Sequence, residues 1–307
     1  MKRENGIAPP AAWISARTCA ASRSLWASAS GSGVGRSACM RAPVAGTMHR
    51  IAEPSATPSE YAMTDSSKVV LITGAARRIG AQIATTLHAA GYCVALHAHR
   101  SAEVLDARVA ELCAQRAGSA HALHADLRLP DAPAQLVAGC LAAFGRLDGV
   151  VNNASAFYPT AIGEATAAQW DDLFAVNARA PFFIAQAAAA QLRQRRGAIV
   201  NLTDLHAQQP MRNHPLYGAS KSALEMLTRS LALELAPHVR VNAVAPGAIL
   251  WPEEGKSADA KHALLARTPL ARIGTPEEIA EAVRWLLDDA SFVTGHTLHV
   301  DGGRQLS

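Results

Sequence analysis

Tyr217 and Lys221 are separated by Gly218-Ala219-Ser220. On a helix, positions four apart share a face one turn apart. An ammonium beside a phenol favours the phenolate, so this spacing predicts a tyrosine of lowered pKa. Such a tyrosine can exchange a proton near neutral pH while a hydride moves to or from a nicotinamide. Tyrosine and lysine also meet at this spacing by chance on many helices. The meaning of the pair depends on where its helix lies.

A second group of residues suits a phosphate. Thr73-Gly74-Ala75-Ala76-Arg77-Arg78-Ile79-Gly80 follows a short apolar run and opens a helical pattern. A glycine turn between strand and helix lets backbone approach a pyrophosphate, and the helix start supplies free N–H groups. Gly74, Ile79 and Gly80 are candidate cofactor residues. Arg78 stands where the middle glycine of such turns usually lies, and it can add a cation near phosphates or substrate. The next strand ends in His97-Ala98-His99-Arg100-Ser101. No acid stands there to hold the ribose hydroxyls, as NAD-preferring sites require. His99, Arg100 and Ser101 instead suit a 2′-phosphate through charge-assisted hydrogen bonds, which predicts NADPH.

The elements that must position these residues alternate along the chain. Strands are expected at Val69–Thr73, Val94–His97, Ala120–Ala125, Gly149–Asn152, Ala198–Leu202, Val239–Ala245 and Thr297–Val300. Helices are expected at Gly80–Ala90, 102–117, Ala132–Phe144, Trp170–Gln194 and Tyr217–Leu235. A last helix opens at Thr275, where Thr275, Pro276 and Glu278 form a capping box. The strands are apolar on both faces, as in a parallel sheet covered by helices on both sides. The predicted fold is one doubly wound, Rossmann-type α/β domain, which binds ligands beyond the carboxyl ends of its strands.

Composition narrows the partners. Residues 1–62 hold seven basic and three acidic residues, while the remainder is neutral, with 22 of each. The body therefore has no basic excess suited to nucleic acid. No uninterrupted apolar run is long enough to cross a bilayer, so no membrane span is expected. The five cysteines include no Cys-x-x-Cys pair. Neither a disulfide framework nor a metal site is expected, and a reducing cytoplasm is the simpler setting. Residues 1–62, rich in Ala, Ser, Arg, Gly and Pro, read as a disordered or dispensable extension, with a targeting peptide as the alternative. The functional domain is assigned to 63–307.

Several motifs in this order resemble the short-chain dehydrogenase/reductase family over about residues 67–304. They are Thr73-Gly74 with Gly80, Asp126-Leu127, Asn152-Asn153-Ala154, Asn177, Tyr217 with Lys221, Pro246-Gly247, and Thr294-Gly295 before Asp301-Gly302-Gly303. The resemblance implies that Asp126 contacts the adenine and that Asn152-Asn153-Ala154 shapes the cofactor cleft. It further implies that Asn177 holds a water in a proton relay through Lys221, and that Pro246-Gly247 lies against the nicotinamide. It also implies a homotetramer.

One departure sharpens this reading. Most members place a serine before the tyrosine, whereas Asp204 stands there, thirteen positions before Tyr217. Thr203 is the alternative under a shifted alignment. A carboxylate suits proton transfer or the N–H groups of a nitrogen heterocycle. With Arg78, His99-Arg100-Ser101 and Ser155-Ala156-Phe157, the chain looks like the pteridine reductases, which reduce pterins and folates with NADPH. That likeness implies that Phe157 and the nicotinamide sandwich a flat ring, a use that suits aromatic stacking. Ser155 and Arg78 would contact pterin or phosphates, and Asp204 and Tyr217 its ring nitrogens. A carbonyl reductase acting on a 3-oxoacyl group or a sugar, and a non-catalytic NADPH sensor, are the alternatives. Residues 248–274, with Trp251, Pro252 and Gly255-Lys256-Ser257, are expected to form a mobile lid. Arg212 would face either substrate or solvent.

Overall fold

Alternation along the strands dictates two apolar layers. In the computed structural model, which describes residues 67–250 and 257–307, strand β1 (Val69–Ile72) is fully buried. Val70 and Ile72 point to one face and Val69 and Leu71 to the other. The first face packs on Ile83 and Leu87 of helix α1 (Arg78–Ala89), Leu105 and Leu112 of α2 (Ala102–Gln115), and Ile279 and Val283 of α8 (Pro276–Asp288). The second packs on Leu136 of α3 (Ala132–Phe144), Ile184 and Leu192 of α5 (Ala180–Arg195), and Leu231 of α6 (Pro215–Leu235). Each such side chain contributes roughly 1.5–3 kcal/mol on leaving water.

Among the described residues, seven strands form one all-parallel sheet. They are β1, β2 (Cys93–Ala98), β3 (Ala120–His124), β4 (Gly149–Asn152), β5 (Ala198–Leu202), β6 (Arg240–Pro246) and β7 (Thr297–Val300). Their order is β3-β2-β1-β4-β5-β6-β7. The fold is the doubly wound α/β architecture expected from the sequence. The order reverses between β1 and β4, and there the loops part to leave a crevice.

Two expected elements differ. The segment read as one helix over Trp170–Gln194 is α4 (Ala167–Phe174) and α5, joined by a π-helical turn at Ala175–Arg179. Ala180 N–H donates to Ala175 O, five residues back. Pro181 has no N–H to return to Asn177, which loosens the ladder there. The helical run from Ala167 to Arg195 is long and apolar enough to cross a membrane. Here its apolar residues Ile184, Ala185, Ala188 and Leu192 are buried within the second core layer. The expected lid contains a helix, α7 (Ala258–Ala266), capped by Ser257, whose hydroxyl accepts from Ala260 N–H. Trp251, Pro252, Gly255 and Lys256 lie outside the described residues, as do residues 1–62. Thr275 and Glu278 do form the reciprocal cap, at 3.3 and 2.8 Å.

Candidate active site

The glycine turn is held shut by the neighbouring strands. Gly74 has φ +65°, and a Cβ there would meet Ala154 Cα at 2.8 Å. A Cβ on Gly80 would fall 2.2 Å from Gly74 O. Both positions therefore require glycine. Asn153 Nδ2 donates to Thr73 O and Gly74 O, each at 2.9 Å. The Thr73 hydroxyl accepts from the N–H groups of Asn153 and Ala154, at 3.0 and 3.1 Å. Asn153 is thus a clamp across the crevice between β1 and β4.

His97, passed over in the sequence, supports the same turn. Its Nδ1 accepts from Gly74 N–H at 3.4 Å and its Nε2 lies 3.1 Å from Ala125 O. Burial pushes its pKa down to about 4, against a partial pull upward from the Ala125 carbonyl. The ring is therefore neutral, with its proton on Nε2, and can accept from Gly74. Arg78 enters α1 with φ +56°, a left-handed conformation costly for an arginine.

A cleft of about 490 Å³ opens here, lined by Gly74, Arg78, Ile79, Gly80, His99, Arg100, Asp126, Leu127, Asn153 and Ala154. Arg77 and Arg128 line it too, though the sequence reading had not selected them. Asp126 accepts from the backbone and guanidinium of Arg128, at 3.0 and 3.2 Å, and lies 3.6 Å from His99. Partial burial opposes its charge, but those Arg128 bonds hold the carboxyl below its usual range. Ser101 stands at the N-cap of α2, directly after Arg100 of the cleft lining.

The cleft continues into a chamber of about 440 Å³ that gathers Arg78, Ser155, Phe157, Asp204, Tyr217, Lys221, Pro246 and Gly247. His214, Met211 and Arg304 also line it, and none of the three stood out in the sequence. Arg212 is exposed and does not line it. Asn177 lies behind the wall, fully buried on the π turn. Its side chain exchanges bonds with Ala156, accepts from Ser155 Oγ at 3.1 Å, and donates to Ser220 Oγ at 2.9 Å. Asn177 thereby ties the Ser155 loop to the helix that carries Tyr217.

Tyr217 donates to Asp204 Oδ2 at 2.7 Å, while Asp204 Oδ1 accepts from His206 N–H at 2.8 Å. Thr203 is not the partner, since its hydroxyl donates to Val244 O. Burial, then the Asp204 charge and hydrogen bond, push the Tyr217 pKa up; a Ser155 contact pulls weakly the other way. This corrects the expectation of a phenol lowered by lysine. Lys221 Nζ lies 5.9 Å from the Tyr217 ring centre and donates instead to Leu202 O at 2.8 Å. Full burial pushes Lys221 down to about 8, with Asp204 opposing. Phe157 is 54% exposed. It stacks on His214, with ring centres 4.8 Å apart, and meets Tyr217 edge-on at the same separation.

The groups fit a dinucleotide beside a proton donor: a glycine cradle at a helix start, a basic cleft, and a buried tyrosine–lysine pair at its end. A family model described as enoyl-(acyl carrier protein) reductase matches residues 74–305. The chain belongs to the short-chain dehydrogenase/reductase family. It is similar to pteridine reductase 1 of Leishmania tarentolae, 36% identical over 79% of this chain and 98% of the relative. It is similar to L-xylulose reductase of Caenorhabditis elegans, 36% identical over 80% and 98%. It is also similar to a 3-oxoacyl-[acyl-carrier-protein] reductase of Staphylococcus aureus, 37% identical over 77% and 98%. As a short-chain dehydrogenase/reductase, the chain is an oxidoreductase that uses a nicotinamide cofactor. In this family setting Gly74, Gly80 and the start of α1 would hold its phosphates, with Asn153 fastening the turn.

Proposed function

We propose that the protein is an NADPH-dependent pteridine reductase, converting a dihydropterin, an oxidised pterin or dihydrofolate to the more reduced ring. One observation carries this reading: the Tyr217–Asp204 hydrogen bond beside the exposed Phe157 ring. A serine at residue 204 would serve a carbonyl oxygen. A carboxylate adds an acceptor for ring N–H groups, and Phe157 adds a flat apolar surface for a planar substrate. The similarity to pteridine reductase 1 supports the same choice.

Bound NADPH supplies the hydride to a C=N carbon. Tyr217, held protonated by burial and Asp204, is the proton source for the ring nitrogen, and Asp204 orients its hydroxyl. Lys221 keeps a positive charge within the chamber at neutral pH, and Asn177 fixes the Ser155 loop against α6. His99 and Arg100 would meet the 2′-phosphate, and Asp126, turned toward Arg128 and His99, would border the adenine. We assign this function to residues 63–307 of a cytoplasmic homotetramer.

Carbonyl reduction is the second reading, supported by the xylulose and 3-oxoacyl relatives. The deciding measurement is NADPH and NADH oxidation with dihydrobiopterin, dihydrofolate, xylulose and a 3-oxoacyl thioester. Turnover of a pterin with NADPH is expected. Turnover of a carbonyl substrate alone overturns the pterin assignment.

A further inference from the structure

The chamber has a cation that the proposed reaction does not use. Arg304 lies on the 3₁₀ turn at Arg304–Leu306 and lines both the main chamber and a side recess of about 220 Å³. In that recess it shares the wall with Phe157, Asp204, Met211 and Tyr217.

Several devices place it there. Asp301 caps the turn, its two oxygens accepting from Gly303 N–H at 2.9 Å and Gln305 N–H at 2.7 Å. Gly302 and Gly303 take φ +65° and +83°, which the tight reversal requires. Gln209, just past Asp204 on the substrate loop, donates to Gln305 O at 2.6 Å. The C-terminal turn is therefore fastened to the loop that carries Asp204.

The guanidinium itself is left available. The charges of Asp204 and Asp301 act on it, but neither carboxylate forms an ion pair or hydrogen bond with it, their bonds being to the cap and to His206 and Tyr217. Arg304 is partly buried and carries five donors, and burial and the neighbouring Arg267 charge both act against its own charge. Arg78, Lys221 and Arg304 face the chamber against a single carboxylate among the described residues, that of Asp204. A partly buried arginine beside Arg78 and Lys221 suits a bidentate carboxylate.

We propose that Arg304 determines substrate specificity by binding a carboxylate carried away from the reducible ring. This deepens the pteridine-reductase reading and rests on it: the preferred substrate is a dihydropterin with an acidic tail, such as dihydrofolate, over an uncharged dihydropterin. The ring occupies the space beside Phe157 and Tyr217, and the tail passes along the recess to Arg304.

The test compares R304Q and R304K with the parent on dihydrofolate and dihydrobiopterin. R304Q is expected to raise KM for dihydrofolate by about tenfold or more relative to its effect on the dihydrobiopterin KM, so that the ratio of kcat/KM between the two substrates falls by that factor. R304K, a point charge without the planar fork, is expected to recover part of the loss. Unchanged selectivity in R304Q, or equal losses on both substrates with an unchanged thermal midpoint, overturns the proposal. If the parent reduces neither pterin, the pteridine-reductase reading fails by itself. The comparison then passes to a 3-oxo acid and its methyl ester. Acid preference lost in R304Q sustains a carboxylate site at Arg304, and no acid preference in the parent, or one kept in R304Q, overturns it.

Discussion

The Tyr217 hydroxyl donates to Asp204 at 2.7 Å, and burial together with this carboxylate, rather than the nearby lysine, keeps the phenol protonated. A carboxylate that accepts from a phenol stabilises its protonated form and repels the phenolate. Removing the charge should therefore let the phenol ionise at lower pH. In D204N, the ultraviolet titration of Tyr217, taken as the difference from D204N/Y217F, is expected to shift downward from the parent. Pterin turnover is expected to fall about 100-fold in D204N and further in Y217F, within the range for positioned acid–base groups. A Tyr217 titration unchanged in D204N contradicts the assignment.

Lys221 predicts an alkaline limit to activity. Its pKa lies at about 8, lowered by burial from 10.5. The ammonium is present below that value and lost above it, so kcat/KM should fall roughly tenfold per pH unit above about pH 8. Tyr217 cannot produce this limb, because its own pKa is raised. K221R should move the limb upward, since a guanidinium does not titrate in this range. A pH profile measured from 6 to 10 on both proteins checks it.

Much of this site was legible from residue types, and the omissions have definite causes. Short continuous apolar runs, the glycine turn and the Thr275–Glu278 box are local signals, and each maps to a local structure. The π turn at Ala175–Arg179 was hidden because one apolar pattern runs through it; Pro181, four residues after Asn177, was the available sign. His97 reads as a core residue until the pairing of β1 with β2 brings Gly74 N–H to its ring. The phenol's pKa was misread for a similar reason. Four-residue spacing brings Lys221 to the ring of Tyr217, but the ammonium turns to Leu202 O, a partner set by tertiary packing. Arg304 enters from a C-terminal turn whose path depends on Gln209.

His97 predicts acid sensitivity. Its folded pKa of about 4 lies below the ordinary 6.5. The unfolded chain therefore binds the extra proton first, and stability falls as pH drops through this window. The loss should reach about 3 kcal/mol between pH 7 and pH 4. Thermal midpoints should decline over that range in the parent and less steeply in H97N. Equal slopes would remove His97 as the cause.

Arg78 separates backbone cost from charge. At φ +56° an arginine pays about 1 kcal/mol that glycine avoids, partly offset by glycine's greater freedom when unfolded. R78G should therefore keep or slightly raise the thermal midpoint, while R78A keeps the strained conformation and should melt lower than R78G. Both lose the guanidinium that lines cleft and chamber together. Both should therefore raise the Kd for NADPH or the KM for substrate by about tenfold, as expected for a lost charge-assisted hydrogen bond. Calorimetric titration with NADPH, run beside thermal melts, distinguishes the two effects. If R78G bound cofactor and substrate as the parent does, the arginine would be a turn residue alone, and its cation would have no part in the site.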